Sequence, residues 1–179
     1  MRKYELTEET KTLEDGTVLH RIRALIDIPR YGVRAGYIGG WIEKYDNLSQ
    51  DGDAWVYGDA KVYGDARVFD TAWVFGNAEV GDTAKVYGNA LVGDTAKVYG
   101  NAEVYGNADY ITFKNSWSSG RWFTYTRSNK MWKVGCFHGT GEELIAKAYK
   151  DSELSGKCYE AIVRAVETIE AAKAEAKGV

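Results

Sequence analysis

The sequence predicts a mainly β protein organised around a parallel β-helix, and three observations carry that expectation. Ala recurs at 54, 60, 66, 72, 78, 84, 90, 96 and 102, with Val two places after each. Residues two apart on an extended chain share a face, so Ala and Val point inward and the residue between them points out. Gly, Asp, Asn or Thr closes every hexad, and these types tolerate the left-handed or turn geometry that a bend requires. A period of six does not match the 3.6 residues of a helical turn. A strand and a bend cannot bury their own apolar face, whereas stacked coils bury a continuous core.

Residues 1–33 read as an N-terminal β cap. KYELTE and TVLHRIRALIDI are β-prone runs separated by the turn signal Glu14-Asp15-Gly16. Val18, His20, Ile22, Ala24 and Ile26 alternate with Leu19, Arg21, Arg23 and Leu25, as in a strand lying across the open end of the solenoid. An open end exposes unpaired backbone groups and would recruit other chains, so a cap is required. His20 is read as structural. Residues 34–110 form the solenoid, with AGYIGGWIEKYDNLSQDGDAWV as an irregular lead-in. Gly36, Gly39 and Gly40 precede no helical pattern, so a bend in the first coil is expected there, not a phosphate cradle.

The repeat, an aliphatic residue followed by turn formers and a small residue, resembles the hexapeptide repeat of left-handed β-helix proteins. The N-terminal KYELTE and HRIRALIDI runs followed by AGYIGGWIEKYDNLSQDGDAWVYGDA resemble the start of YdcK-type hexapeptide-repeat proteins, a group also found in phages and prophages and mostly labelled transferases. The resemblance implies a left-handed solenoid with three hexads per coil, homotrimers, and ligand sites in clefts between adjacent β-helices. It supplies no catalytic residues.

With three hexads per coil, residues eighteen apart stack on one face. The outward positions then sort into Trp55, Trp73 and Leu91 on one face, Lys61, Glu79 and Lys97 on a second, and Arg67, Lys85 and Glu103 on the third. The first, extended by Tyr57 and Phe75, is too apolar to stand bare in water. Either the chain's own C-terminal segment or a neighbouring subunit is expected to cover it, and Trp55, Tyr57, Trp73, Phe75 and Leu91 are the candidate interface.

Residues 111–179 read as an α+β segment. ADYITFKNSW runs off the last coil as one more strand, and Trp122 to Thr126 and Met131 to Val134 flank Arg127-Ser128-Asn129-Lys130 as a hairpin. Thr140 with Glu143 three residues on is a capping-box signal, so a helix is expected from about 141 to 150. A second is expected from about 155 to 173, with Ile162, Val166 and Ile169 as its buried stripe and the tail AAKAEAKGV frayed or projecting.

The candidate ligand site is the 117–140 segment. Arg121, Trp122, Tyr125, Arg127, Asn129, Lys130, Trp132, His138 and Thr140 combine aromatic faces with cations, a mixture suited to a base stacked on a ring with phosphates held by Arg and Lys. An aromatic hairpin packed on the Trp ladder would have the same composition. Cys136 and His138 share one strand face, but no acidic residue nearby in sequence orients them as a nucleophile and base. Two His and two Cys give at most one metal site at unsuitable spacing, so neither metal nor cofactor is expected. The hexapeptide-repeat carbonic anhydrases use three metal-binding histidines, which this chain lacks.

A formal charge of −3 provides no general basic field, so nucleic acid is not an expected partner. Two cysteines are too few for a disulfide scaffold, and neither a signal-like apolar run nor a membrane-length segment is present, so a cytoplasmic protein is expected, in the host cytoplasm where phage-encoded. The functional expectation is a non-catalytic homotrimeric binder of a small anionic, nucleotide-like ligand, for which phage kinship suggests sequestration of a host defence signal. Two alternatives stand beside it. One is an acyl- or nucleotidyl-transferase with His138 as base. The other is a protein-binding module acting on a host protein.

Overall fold

The computed structural model describes residues 2–177. Strands β1 (Tyr4–Thr12), β2 (Val18–Ala24) and β3 (Ile38–Ile42) lead into nine two-residue strands, one per hexad. These are β4 (Trp55–Val56), β5 (Lys61–Val62), β6 (Arg67–Val68), β7 (Trp73–Val74), β8 (Glu79–Val80), β9 (Lys85–Val86), β10 (Leu91–Val92), β11 (Lys97–Val98) and β12 (Glu103–Val104). Parallel pairing follows the eighteen-residue spacing, with Trp55 opposite Trp73, Lys61 opposite Glu79 and Arg67 opposite Lys85. The solenoid is therefore three-sided, and the Ala and Val of every hexad are fully buried along its axis.

The fifth hexad position turns the corner with a positive φ, held by Gly at 58, 64, 76, 88 and 100 and by Asp at 70, 82 and 94. Asp tolerates this conformation and adds a bond that Gly lacks. Asp70 accepts from the Gly88 amide at 3.1 Å and Asp82 from the Gly100 amide at 2.9 Å, each one coil on.

Within the stack, each outward residue's N–H donates to the carbonyl seventeen residues later, at 2.8 to 3.0 Å from Trp55 to Lys85. The first coil consequently leaves carbonyls open and the last leaves amides open. Donors close the first end: Lys3 Nζ reaches the Ala54 carbonyl at 2.9 Å, the Trp41 amide reaches that of Ala60 at 2.9 Å, and Asn47 Nδ2 reaches that of Ala66 at 2.8 Å. Acceptors close the other: Asn107 Oδ1 takes the Leu91 amide at 2.9 Å, Thr124 Oγ1 that of Lys97 at 3.0 Å, and Ser128 Oγ that of Glu103 at 2.7 Å. Each of the three faces thus has a partner at both ends, which meets the requirement that buried backbone groups be paired.

The β1–β2 hairpin pairs antiparallel with β3, which pairs parallel with β5, so it continues that face along the solenoid axis past the first coil. Tyr4, Ile22 and Ala24 of the hairpin are buried in the same core as the first hexads, and Ile28 and Val33, in the loop after β2, join them there.

Beyond the last coil, β13 (Tyr110–Lys114), β14 (Trp122–Thr126), β15 (Met131–Val134) and β16 (Phe137–Gly139) form an antiparallel sheet in sequence order. Helices α1 (Gly141–Asp151) and α2 (Glu153–Lys177) cover one side of it. The capping box is present: Glu143 N–H donates to Thr140 Oγ1 at 3.3 Å, and the Thr140 amide to Glu143 Oε2 at 2.8 Å. The buried stripe of α2 is Val163 and Val166, whereas Ile169 is exposed. Helix α2 runs to Lys177 without fraying at Lys173, and of the tail Gly178 and Val179 lie outside the described residues.

Candidate functional site

The charged face formed by β5, β8 and β11 carries a ladder in which Glu79 is bracketed by Lys61 at 3.0 Å and Lys97 at 2.8 Å. At the adjoining corner the fourth hexad position is Tyr63, Gly81 and Tyr99 in successive coils. Gly81 has no side chain to separate the two rings, so Tyr63 and Tyr99 meet across it edge to face and their hydroxyls hydrogen-bond. Tyr99 Oη also donates to Glu79 at 2.8 Å. Burial raises the Glu79 carboxyl, but hydrogen bonds from Lys97, Tyr99 and Lys61 outweigh it and hold the group down at about 2. Glu79 is therefore a fixed anion and a poor proton acceptor at neutral pH.

The C-terminal sheet and the β1–β2 turn wall this face into a groove. One part, of about 660 Å³, lies between the turn at Lys11 to Asp15, the Tyr63–Tyr99 corner, and Lys133 with Cys136. The other, of about 310 Å³, is bounded by Asn77, Thr95, Arg121, Trp122 and Gly135, and both share Lys61, Glu79 and Lys97 as floor. Lys133 Nζ stands 4.2 Å from the centre of the Tyr99 ring. Its pKa is lowered, first by burial and also by Lys97, against opposing pulls from Asp82 and Glu79. His138 lies at the same end, so close to Gly100 that a Cβ there would stand 2.6 Å from its Cε1. Burial and then Lys133 lower the His138 pKa, which favours the neutral imidazole.

The structure divides the sequence-predicted ligand residues. Arg121 and Trp122 line the smaller cavity, and His138 sits near the larger. Tyr125 and Trp132 are buried with Phe123 and Val134 under the helices. Alternation along β14 and β15 sends those four to one side and Thr124 and Lys133 to the other. Arg127 is tied to Glu170 at 2.7 Å, and Asn129 Oδ1 takes the Thr126 hydroxyl at 2.5 Å and the Met131 amide at 3.2 Å. Lys130 occupies the hairpin turn with a φ of 56°, and Thr140 is the N-cap of α1. Among the described residues, none of these six lines the smaller cavity with Arg121. Sequence reasoning missed Lys61, Glu79, Lys97, Tyr63, Tyr99, Thr95 and Lys133. The eighteen-residue spacing already stacked the first three, and an alternating Tyr-Gly-Tyr at the corner was the further signal.

The apolar ladder is covered from a direction not expected. Trp55 is fully buried, with Tyr4 edge-on at 6.3 Å between ring centres, and Tyr31 stacks on Trp73 at 4.7 Å. Tyr37 stacks on Tyr57 at 5.5 Å, Phe75 lies 5.0 Å from Trp73, and Tyr110 Oη donates to the Leu91 carbonyl at 3.0 Å. The N-terminal segment therefore does most of the covering that was assigned to the C-terminal segment or to a second subunit, and Trp55 is not available as an interface residue. Tyr57 remains partly exposed, and Phe75 and Leu91 half-buried.

No cluster of three or more His, Cys, Asp or Glu suited to a metal exists among the described residues, and no described helix is long and apolar enough to cross a membrane.

No family model matches the chain. A stretch of 64 residues is 42% identical to the protein described as "Uncharacterized acetyltransferase YdcK" of Escherichia coli strain K12. That match covers 32% of this chain and 19% of the relative's length. Together with the three-sided solenoid, it supports a hexapeptide-repeat β-helix architecture of the kind the repeat implied.

Proposed function

We propose that this hexapeptide-repeat chain is a non-catalytic binding protein that holds a small anionic, nucleotide-like ligand in the groove over Lys61, Glu79 and Lys97. One observation carries the reading. The floor lysines share the one carboxylate of Glu79, whereas Arg121 and Lys133 on the walls make no ion pair among the described residues; Arg121 lines the smaller cavity together with Trp122, and Lys133 Nζ stands over the Tyr99 ring. Uncommitted cations beside rings are what a phosphate attached to a planar base requires. The residues that line the groove belong to one chain, and the expected homotrimer would use the part of the apolar ladder that the N-terminal segment leaves open, at Tyr57, Phe75 and Leu91. Mass spectrometry of small molecules released by heat from the natively purified protein tests it. An intact anionic ligand whose retention is lost in Arg121→Ala and Lys133→Ala is expected, and retention unchanged in both variants sinks the proposal.

A transferase is the second reading, favoured by the name of the E. coli relative and by a His138 that is neutral at pH 7 beside the groove. It expects turnover of acetyl-CoA that His138→Ala abolishes. Glu79, held ionised by three hydrogen bonds, gives that histidine no second proton acceptor.

A further inference from the structure

We infer that Thr95 supplies the hydroxyl that selects an oxyanion in the smaller cavity, a step that rests on the proposed function above. The hexads ending in Asp-Thr contain their own comparison. Thr71 Oγ1 donates to the Gly88 carbonyl at 2.7 Å and Thr83 Oγ1 to the Gly100 carbonyl at 3.0 Å, each to the next coil. Thr95 is the next Asp-Thr position and lies in the last coil, so it has no following coil to bond. Its Oγ1 is buried without a partner among the described residues.

Rotation about its Cα–Cβ bond carries this buried hydroxyl into the cavity that Thr95 lines, where it becomes a ligand group. Where the last coil leaves amides open, side chains close them: Asn107 at Leu91, Thr124 at Lys97 and Ser128 at Glu103. At Thr95 the chain provides no such group. It provides a cavity of about 310 Å³ that Thr95 lines with Arg121 and Trp122. Lys61 and Lys97 in the same cavity both pair with Glu79, at 3.0 and 2.8 Å, leaving the Arg121 guanidinium as the cation without an ion pair among the described residues there. A guanidinium presents two parallel N–H donors to a phosphate or carboxylate, and a neutral hydroxyl beside it donates a third bond to the same group. Trp122, with Lys114 Nζ 5.7 Å from its ring centre, lines the same cavity and offers a planar face. The ligand class is thus an oxyanion, phosphate or carboxylate, carried on a planar ring.

Isothermal titration of the intact protein with adenosine 5′-monophosphate, benzoate, inorganic phosphate and adenosine tests this, using wild type, Thr95→Val, Thr95→Ser and Arg121→Ala. Thr95→Val keeps the shape and removes an unpaired hydroxyl, so its thermal unfolding should be no earlier than wild type. It should bind the preferred ring-bearing anion about tenfold more weakly, leave adenosine binding unchanged, and be rescued by Thr95→Ser. The monophosphate and benzoate arms separate a phosphate from a carboxylate. Wild-type affinity in Thr95→Val with binding lost in Arg121→Ala overturns the inference and leaves the proposed function standing. Equal weakening for the anion and adenosine in Thr95→Val also overturns it, since that marks a change of cavity shape. Failure of wild type to bind any of the anions overturns the proposed function, and this inference with it.

Discussion

The Lys97 amide in the last coil donates to Thr124 Oγ1 in the C-terminal sheet at 3.0 Å. This bond replaces the carbonyl that a further coil would have supplied, and it anchors β14 on the end of the solenoid. Thr124 is 1% exposed, so water does not substitute easily. Thr124→Val, nearly the same shape, should destabilise the protein by about 1–3 kcal/mol by leaving the amide unsatisfied. Hydrogen exchange should speed up at Lys97 more than at Glu79, whose amide still donates to the Ala96 carbonyl. Uniform acceleration at both positions would show that Thr124 acts on global stability alone.

At the opposite end, Lys3 is 1% exposed, with its ammonium on the carbonyls of Ala54, Gly52 and Asp51. Burial lowers its pKa to about 8 against the raising pull of Asp53 and Asp51. Because the folded value lies below the unfolded 10.5, the unfolded chain binds more protons between these two pH values, and stability rises with pH across that window. The Lys3→Met variant should be less stable at pH 7 by about 2 kcal/mol from the lost bonds. The wild-type advantage should then widen from pH 8 towards 10.5, measured as the difference between the two denaturation curves. A constant or narrowing difference would contradict a buried, charged Lys3.

The period of six and the eighteen-residue stacking were legible because each hexad repeats the same chemistry, and Thr140 with Glu143 marked the start of α1 for a similarly local reason. The cover on the Trp ladder was not legible. Tyr4, Tyr31 and Tyr37 lie in segments without a period, and only the antiparallel docking of β2 on β3 brings them to Trp55, Trp73 and Tyr57. Both sides of the β13–β16 sheet contribute buried residues, Phe123 and Tyr125 under the helices and Thr124 towards the last coil. Polarity alternation therefore did not separate Tyr125 and Trp132, which are core, from Trp122, which borders the groove. The spacing placed Lys61, Glu79 and Lys97 on one face but did not mark that face as a groove, because the walls that enclose it come from residues 11–15 and 121–136.

The same ladder makes a prediction in acid. Glu79 has a folded value of about 2 against an ordinary 4.5, so its contribution is complete above 4.5 and is lost as pH falls through about 2. That shift corresponds to about 3 kcal/mol at most. Glu79→Gln should remove this part of the pH dependence and lower stability at pH 7, since Lys61 and Lys97 lose their shared partner. The two stability curves should converge towards pH 2. Parallel curves from pH 7 to 2 would mean that Glu79 is not held by its neighbours.

Gly81 links the repeat to the groove. A Cβ at this position would stand 2.7 Å from Tyr99 Cε1 and 3.2 Å from the Tyr63 ring, although its backbone conformation suits any residue. Gly81→Ala should therefore force the Tyr63 and Tyr99 rings apart, break the Tyr99 bond to Glu79 and displace the ring over which Lys133 stands. The expected cost is about 1–3 kcal/mol of stability from overpacking, with weaker retention of an anionic ligand in the groove. Gly106→Ala is the control, because nothing lies within 4 Å of a Cβ there and its φ of −147° is ordinary extended backbone. Thermal unfolding and ligand titration on the two variants should separate them clearly. Equal behaviour would mean that the corner yields to a methyl group, and that the meeting of Tyr63 and Tyr99 does not shape the groove.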